Sequence, residues 1–315
     1  MTGGPRHRPV LCNSVLNWLV LKAGDTAVDL TGGRAGHSRL MANILGPKGF
    51  LIVMDKDPEA VKACRQALAE APCRVEIVHE DFRNVADVLS SIRAKQVDAI
   101  LADLGVSADQ LLDPMRGFGF DSSGSLDMRM NPASQLTASQ ILATWPVKKL
   151  AEIFAEYGDV PAAGKVAAAI VQARNEIGAK EWDAKRLRSS ATSVLRRARG
   201  AKIDPATRIF QALRIAVNDE LGALKEMLPK AFEALKIGGR LAVISFHSGE
   251  DRIVKKFMHQ EARGCICPPD FPVCRCGKVS RALVLTSRPI RPDDSEVNQN
   301  PRARSAKLRI CERIG

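Results

Sequence analysis

The stretch that decides the fold is residues 27–55, AVDLTGGRAGHSRLMANILGPKGFLIVMD. It begins with a short apolar run, passes through a Thr-Gly-Gly turn into a segment with helical periodicity, and closes with a second apolar run. This order predicts a buried strand, a tight loop, a helix and a second buried strand that ends at Asp55. In an open α/β sheet, ligands bind outside the carboxyl ends of such strands, where glycine lets them approach the backbone.

The acidic residues of this stretch indicate which chemical groups the ligand contains. Asp55 follows Gly33 by 22 residues, close to the spacing at which an acid accepts hydrogen bonds from a ribose. The loop matches neither G-x-G-x-x-G nor the P-loop, and Asp29 beneath it would repel a pyrophosphate. A ribose joined to an amine and a positive sulfur suits these charges, as in S-adenosylmethionine. The alternative is a glycine loop that only turns the chain in another α/β protein.

Length and charge narrow the class of protein. The 315 residues suffice for one large α/β domain or for one domain with an insertion. Lysine and arginine number 47 against 35 acids, which gives a net charge of +12. This balance favours a polyanionic partner, and nucleic acid is favoured over a membrane. A generically basic protein remains the alternative on charge alone.

The sequence contains no recognisable membrane or export signal. No apolar segment reaches the length of a bilayer span, and the first residues lack the apolar centre and cleavage site of a signal peptide. Eight cysteines in a chain of this length, without an export signal, favour reduced thiols over a disulfide framework. We therefore expect a cytoplasmic protein.

Further strands alternate with helical segments. Residues 75–78 and 97–102 are the third and fourth apolar runs, so we expect a parallel sheet covered on both faces. A buried strand is expected at 240–246, and an antiparallel pair at 282–286 and 307–311. Acids follow strand after strand and should line one edge of the sheet; they are Asp29, Asp55, Asp81 and Asp103.

The middle of the chain differs from the rest in its residue composition and periodicity. Residues 113–206 begin with a turn-rich piece and continue in helical sequence without a convincing strand, which predicts an inserted helical domain. The predicted sheet-bearing domain, with the ligand site, is then 1–112 with 207–315. Helices are expected at 138–157, 162–175 and 184–198, and one helix from 210 to 235 should stop at Gly238-Gly239. The distal part of the insertion is basic, either for RNA contact or as a solvated face; it includes Lys185, Arg186, Arg188, Arg196, Arg197, Arg199 and Lys202.

Motifs spread along the chain carry a family resemblance. Their order from one end to the other is more specific than any one of them. They are HRPVL (7–11), DLGVS (103–107), QL (110–111), RGF (116–118), LDMRM (126–130), ATR (206–208), FQALRI (210–215), NDEL (218–221), ISFHS (244–248), EDRIVK (250–255) and NPRARSAKLR (300–309). With these motifs, the chain resembles the RsmH (MraW) family of S-adenosylmethionine-dependent methyltransferases over nearly its whole length.

The resemblance implies methylation of the N(4) amine of a cytidine in the decoding region of small-subunit ribosomal RNA. It implies a Rossmann-like class I methyltransferase fold with an inserted helical domain that recognises the substrate. The partner would be this RNA or the assembled small subunit, and both a monomer and a homodimer stay open. The implied cofactor contacts are Ala35, Gly36, His37, Asp55, Phe82, Asp103 and Gln110. Asp103 would be catalytic as well, and the implied substrate contacts are Arg116, Phe118 and His247. Phe82 could instead be core, and His37 could instead cap its helix.

Two departures from the family pattern leave a second function open. Ala35 stands where the family usually has glycine, and its methyl group would crowd a ligand if the position needs a positive φ. Gly249 stands where leucine is usual, close to His247. The alternative is a non-catalytic or weakly active RNA-binding or ribosome-assembly protein with a degenerate methyltransferase site.

A pair of C-x-C units lies near the end of the chain, at 265–267 and 274–276. Four thiolates at short spacing can bind zinc tetrahedrally. The spacing is not one of the common finger patterns, so the sequence favours an ordinary loop and no metal.

Overall fold

The apolar runs form one sheet. The computed structural model describes residues 9–120, 122, 124–177, 182–195, 204–267, 273 and 275–315. Within these residues the strand order is β3-β2-β1-β4-β5-β7-β6, in which β3, β2, β1, β4 and β5 are parallel and β7 is antiparallel to both of its neighbours. The strands are β1 Thr26–Asp29, β2 Phe50–Asp55, β3 Arg74–His79, β4 Val97–Asp103, β5 Leu235–Ser245, β6 Ala282–Val284 and β7 Lys307–Arg313.

Both faces of this sheet are buried, as predicted for a parallel sheet. Along β2, Leu51 and Val53 belong to one apolar cluster, and Ile52 and Met54 belong to another. Alternate side chains of a strand point to opposite faces, so the two clusters lie on the two sides. The helices of this part of the chain are α1 Cys12–Leu19, α2 Gly36–Leu45, α3 Pro58–Ala67, α4 Val85–Ser91, α11 Glu220–Ala234, α12 Ser248–Ala262 and α13 Asp294–Gln299, with 3-10 helices at Phe82–Asn84 and Pro301–Ser305.

The predicted row of acids lies at one edge of the sheet. Asp29, Asp55 and Asp103 are the last residues of β1, β2 and β4, and Asp81 follows the end of β3. Because these strands are parallel neighbours, their carboxyl ends meet at the same edge. The predicted antiparallel pair at the other side of the sheet is also confirmed, as β6 and β7.

The chain divides into two compact units. The first is Met1–Gly105 with Leu221–Gly315, and the second is Val106–Glu220. The second unit therefore starts earlier and ends later than the predicted insertion. Its late end has a clear cause, because Ile209 and Leu213 of α10 are buried in the apolar core of the second unit. In its described residues, the helices are α5 Ala108–Leu112, α6 Ala138–Thr144, α7 Val147–Glu156, α8 Ala163–Ile177, α9 Ala184–Thr192 and α10 Ala206–Asn218.

Two long predicted helices are each divided in two. The first breaks between α6 and α7, where Trp145 and Pro146 are extended. This agrees with the bias of a residue before proline against helix. The second breaks at Asp219, whose φ of 47° is left-handed and ends α10. Among the described residues, no helix is long and apolar enough to cross a membrane.

The prediction that Gly238-Gly239 stops a helix is wrong. Helix α11 ends at Ala234, and both glycines lie inside β5. Val97 of β4 pairs with Leu235, and Ala99 pairs with Arg240, so β5 carries extra residues at this point. Gly238 has a φ of +82° there. The glycines therefore allow a bulge in the strand.

Candidate active site at the carboxyl edge of the sheet

The glycine loop after β1 is fixed to the neighbouring strand ends. The Leu30 amide donates to the Leu101 carbonyl, and the Gly32 amide donates to the Met54 carbonyl, both at 2.9 Å. A β carbon on Gly32 would lie 2.6 Å from Cγ1 of Val53 and 2.8 Å from Sγ of Cys64. A side chain cannot be placed there without displacing the Val53 and Cys64 side chains, so packing favours glycine.

Asp55 joins this loop to the end of β2. Its Oδ2 accepts from the Gly33 amide at 2.8 Å, and its Oδ1 accepts from the Asp57 amide at 2.9 Å. Burial raises the pKa of the Asp55 carboxyl, and these two hydrogen bonds oppose the rise. A carboxylate has about four acceptor positions, so both oxygens can still accept hydrogen bonds from a diol.

Ala35 occupies the left-handed region, with a φ of 59° and a ψ of 28°. An L residue there costs roughly 1–2 kcal/mol. Its methyl group is fully buried in the core that also holds Met41 and Leu45, which regains about 0.8 kcal/mol. The methyl group therefore points into the core and strains the backbone mildly. This placement removes the main structural reason for regarding the site as degenerate.

The two residues after Ala35 begin α2. A β carbon on Gly36 would lie 3.1 Å from Cβ of Pro9, so the glycine allows a close approach of the N-terminal segment. His37 is 5% exposed, and its Nε2 lies 3.7 Å from Oδ2 of Asp103. The sequence predicted both residues at the site, and the structure places His37 against the predicted catalytic carboxyl.

Asp103 is a buried acid at this edge whose pKa is strongly raised. Its backbone amide donates to Oγ1 of Thr31 at 2.7 Å. Its Oδ1 is buried and has no hydrogen-bond partner among the residues that the structure describes. Burial, and secondarily the nearby carboxylates of Asp29 and Glu250, raise the pKa of Asp103 to about 8. Ionisation of the Asp103 carboxyl therefore costs free energy unless a cation or a hydrogen-bond donor lies next to it.

Asp29 is a second buried acid close to the carboxyl of Asp103. Burial raises the pKa of Asp29 to about 6, although hydrogen bonds oppose the rise. The strongest of these comes from Oγ of Ser38, at 2.5 Å from Oδ2 of Asp29. Two buried carboxyls close together, with His37 as the neighbouring ring, suit a cationic ligand better than an anionic one.

Phe82 opens the 3-10 helix that follows β3. Asp81 caps this helix, since its Oδ1 accepts from the Arg83 amide at 3.0 Å. The Phe82 ring is partly buried and packs against the apolar cluster that contains Met54 and Val85. It thus has a packing role, and its contact with adenine stays a prediction.

His247 caps the first turn of α12 together with Glu250. Its Nδ1 accepts from the Glu250 amide, and Oε2 of Glu250 accepts from the Phe246 amide at 2.8 Å. A β carbon on Gly249 would lie 3.1 Å from Nδ1 of His247. Glycine therefore leaves room for this ring position. The predicted contact of His247 with substrate remains untested.

The other predicted contacts lie in the second unit and have structural partners there. The Gln110 side chain accepts from the Ser107 amide at 2.9 Å and closes the cap of α5. Nη2 of Arg116 donates to the carbonyls of Arg129 and Met130 at 3.0 and 2.8 Å. Phe118 is 6% exposed and belongs to the apolar core of its unit. These residues hold their unit together, and their ligand contacts stay predictions.

Three polar residues of this edge were missed by the sequence analysis. Thr31 and Ser38 bind the backbone of Asp103 and the carboxyl of Asp29, and Glu250 lies near Asp103 with only 2% exposure. For Glu250 a signal existed, because His247-x-x-Glu250 has the spacing of a capping box. For Thr31 and Ser38, the only indication in the sequence is that they lie next to the glycine loop.

The ligand-free protein should lose stability as the pH rises from about 4 through about 8. The carboxyls of Asp29 and Asp103 have pKa values near 4 when unfolded but about 6 and about 8 when folded. Between these limits the folded state binds more protons, so the free energy of unfolding falls with rising pH. Asp103→Asn should flatten this dependence and raise the melting temperature at about pH 9. Asp87→Asn, on an exposed site of α4, is the control; equal pH profiles for all three proteins would refute the assignment.

Comparison with known proteins gives a match over almost the entire chain. Residues 5–314 match the MraW methylase family. Ribosomal RNA small subunit methyltransferase H of Thermomicrobium roseum is 46% identical over 310 residues, which is 98% of this chain and 94% of the relative. The protein of the same name from Heliobacterium modesticaldum is 45% identical and covers 98% of each chain.

Solved structures give a weaker likeness. The crystal structure of an rRNA methylase from Streptococcus thermophilus aligns with 99% of this chain and 100% of that chain, with a TM-score of 0.44 and 10% identity. A likeness at this level carries no argument about the site. The family match and the identity to the two relatives confirm the resemblance predicted from the motifs: the chain belongs to the MraW methylase family.

Proposed function

We propose that this chain transfers a methyl group from S-adenosylmethionine to the N(4) amine of a cytidine in the decoding region of small-subunit ribosomal RNA. The observation that carries this proposal is the family match over residues 5–314, together with relatives named ribosomal RNA small subunit methyltransferase H. The chain is a methyltransferase, as predicted, and S-adenosylmethionine is its cofactor. The finer assignment of residues rests on the geometry of the carboxyl edge.

The first unit has the groups that this cofactor needs. Asp55, held by the Gly33 and Asp57 amides, would accept hydrogen bonds from the two ribose hydroxyls. The buried carboxyls of Asp29 and Asp103 would face the positive charges of the amino acid and the sulfonium. A cation beside Asp103 lowers the pKa of this carboxyl from about 8. Cofactor binding would therefore convert Asp103 into the charged acceptor that the reaction uses.

The reaction itself needs alignment and a proton acceptor. The amine of cytosine is a poor nucleophile, because its lone pair is shared with the ring. A carboxylate that accepts its N–H helps the nitrogen to become pyramidal and to lose a proton after attack. Asp103 supplies this group at the end of β4, and its Oδ1 has no partner among the described residues. In-line attack on the methyl group then depends on positioning.

The cysteines support attack by an amine over attack by a ring carbon. Methylation at carbon 5 of a pyrimidine needs a thiolate that first adds to the ring. The cysteine nearest the glycine loop is Cys64, and burial, with the carboxylates of Asp29 and Asp55, raises the pKa of its thiol to about 12. Burial also raises the pKa of Cys311 to about 12. Neither thiol forms a thiolate readily near neutral pH.

The proposed RNA contacts lie in the inserted unit and in the basic C-terminal segment, which is residues 278–315. Several basic residues of this segment are used inside the fold, since Lys307 and Arg309 pair with Asp251, and Arg313 pairs with Glu233. Four arginines are exposed and provide its basic surface: Arg288, Arg291, Arg302 and Arg304. In the insertion, Lys185 and Arg188 of α9 are exposed, and the predicted Arg196, Arg197, Arg199 and Lys202 lie outside the described residues.

Reversing Arg302 and Arg304 to glutamate should weaken RNA binding roughly tenfold or more, because phosphate contacts add electrostatic affinity. The slope of affinity against salt should become shallower, and the affinity for S-adenosylmethionine should not change. A matched control is the double reversal of Lys48 and Lys95, which are exposed and precede β2 and β4 at the opposite edge of the sheet. Equal RNA affinity for both double variants would place the RNA elsewhere.

The proposal as a whole is tested by product analysis. Purified protein, S-adenosylmethionine and small ribosomal subunits lacking the modification should yield N(4)-methylcytidine, detected by mass spectrometry of nucleosides. We propose that the reaction takes place in the cytoplasm, where small subunits are available. A measurement of the molecular mass in solution will decide between a monomer and a homodimer. RNA binding without any methylated product would favour the alternative assembly role.

A further inference from the structure

Three cysteines are brought together in the segment between α12 and β6. The Sγ atoms of Cys265, Cys267 and Cys276 all lie within 4.8 Å of one another. The three side chains are at least partly accessible to solvent. Cys274, the remaining member of the two C-x-C units, lies outside the described residues. The clustering brings together sulfurs that are up to 11 residues apart in the sequence, which an ordinary loop would not require.

The spacing of the sulfurs suits a tetrahedral metal ion. Zinc binds thiolate sulfur at about 2.3 Å, and tetrahedral geometry then separates two sulfurs by about 3.8 Å. The distance between Sγ of Cys265 and Sγ of Cys276 is 3.8 Å. A small contraction of the other distances would bring all three sulfurs onto one ion.

Each of the three sulfurs also accepts a backbone hydrogen bond. The amides of Ile266, Cys267 and Arg275 donate to Sγ of Cys276, Cys265 and Cys267, each at 3.4 Å. Hydrogen bonds to a charged group favour its charged form, and such contacts orient metal ligands. The turn that allows them is followed by Gly277, whose φ is +61°.

Basic residues flank the cluster in the sequence. Arg263, Arg275 and Lys278 are all near in sequence, and Nε of Arg263 donates to the Cys265 carbonyl at 3.0 Å. Positive side chains offset the negative charge that remains when several thiolates bind one divalent ion. Soft sulfur ligands in tetrahedral arrangement select zinc over the hard cations magnesium and calcium.

We propose that Cys265, Cys267 and Cys276 bind one zinc ion in a structural site. The proposal rests on these three residues alone and does not depend on Cys274. The site would close the segment that leaves α12 and enters β6, whose two ends are already joined by the Arg281 amide and the Glu261 carbonyl at 2.9 Å. It would stabilise the antiparallel edge of the sheet and is independent of the proposed methyl transfer.

Metal content of the full chain tests this proposal. Protein purified without chelator under reducing conditions should contain about one zinc ion per chain by plasma mass spectrometry. Cys265→Ser and Cys276→Ser should each lower the zinc content roughly tenfold or more. Cys12→Ser is the matched control, because Cys12 lies in α1 outside the cluster and is partly exposed. Circular dichroism and solubility show that each variant is folded.

A second measurement uses cobalt as the probe. Apoprotein prepared with a chelator should bind Co²⁺ with the intense thiolate and tetrahedral absorption bands, and Zn²⁺ should displace it. Chelation should also lower the melting temperature of the parent protein but not of Cys276→Ser. A parent protein that stays free of zinc after reconstitution, contains iron in its place, or keeps its zinc in both cluster variants would overturn the proposal.

Discussion

Asp103→Ala should transfer methyl groups about 100-fold more slowly than the parent protein, or slower still, which is the scale of one positioned proton acceptor. The reason is that Asp103 is the carboxyl at the end of β4 whose Oδ1 has no partner in the described structure and whose pKa is raised to about 8. The measurement is single-turnover transfer of labelled methyl groups to small subunits. Cofactor and RNA are both present at saturating concentrations, so that an effect on the rate of transfer is separated from effects on binding.

Two further variants distinguish catalysis from structure. Asp103→Asn keeps the shape but cannot take a proton, so it should be nearly as slow as alanine while remaining folded. Cys64→Ser changes the thiol next to the glycine loop and should transfer methyl groups at close to the parental rate. Cofactor affinity is measured in parallel by calorimetry, because Asp103 is also proposed to face the methyl donor.

The amine mechanism would be overturned by either of two results. One is an Asp103→Asn protein that binds cofactor and RNA and still turns over at the parental rate. The other is a folded single-cysteine variant that binds both and transfers nothing, or a covalent RNA adduct trapped on the parent protein. The pH dependence adds a check, since transfer by the parent should report the titration of Asp103 in the complex, shifted below about 8 by the cofactor's charge.

The sheet and its row of acids were predictable because their signals are local. Apolar runs such as residues 51–54 are too short for a helix and are followed by an acid, so each strand and its end are visible in the sequence. The order of the strands in the sheet then places Asp29, Asp55 and Asp103 together. The helix breaks were harder to predict, because Asp219 takes a left-handed conformation that its residue type only weakly favours.

The roles of individual side chains were less predictable than their positions. Motifs identified Arg116, Phe118 and His247, yet the structure uses them to hold carbonyls, fill a core and cap a helix. A motif preserves structural and functional residues alike, so its presence does not separate the two. The cysteine cluster shows the converse, because the spacing in the sequence favoured a loop and only the folded chain brings the sulfurs together.

Asp55→Ala should bind S-adenosylmethionine about ten to a hundred times more weakly than the parent, or weaker. Losing a charged acceptor of hydrogen bonds costs roughly 1.5–3 kcal/mol. The geometry supports this role, because Asp55 ends β2, lies beside the glycine loop and is held by the Gly33 and Asp57 amides. Isothermal titration calorimetry gives the dissociation constant directly.

Because Asp55 also fixes the loop, its folding contribution must be separated from its contribution to binding. Asp55→Asn keeps one oxygen as an acceptor and should fall between the parent and alanine in affinity. Asp87→Ala, on the exposed side of α4, removes a carboxylate away from the loop and should bind as the parent does. The melting temperature without cofactor shows whether each variant is folded, and the rise on adding cofactor follows its affinity. If Asp55→Ala is folded and binds S-adenosylmethionine as tightly as the parent, the ribose does not lie at the end of β2.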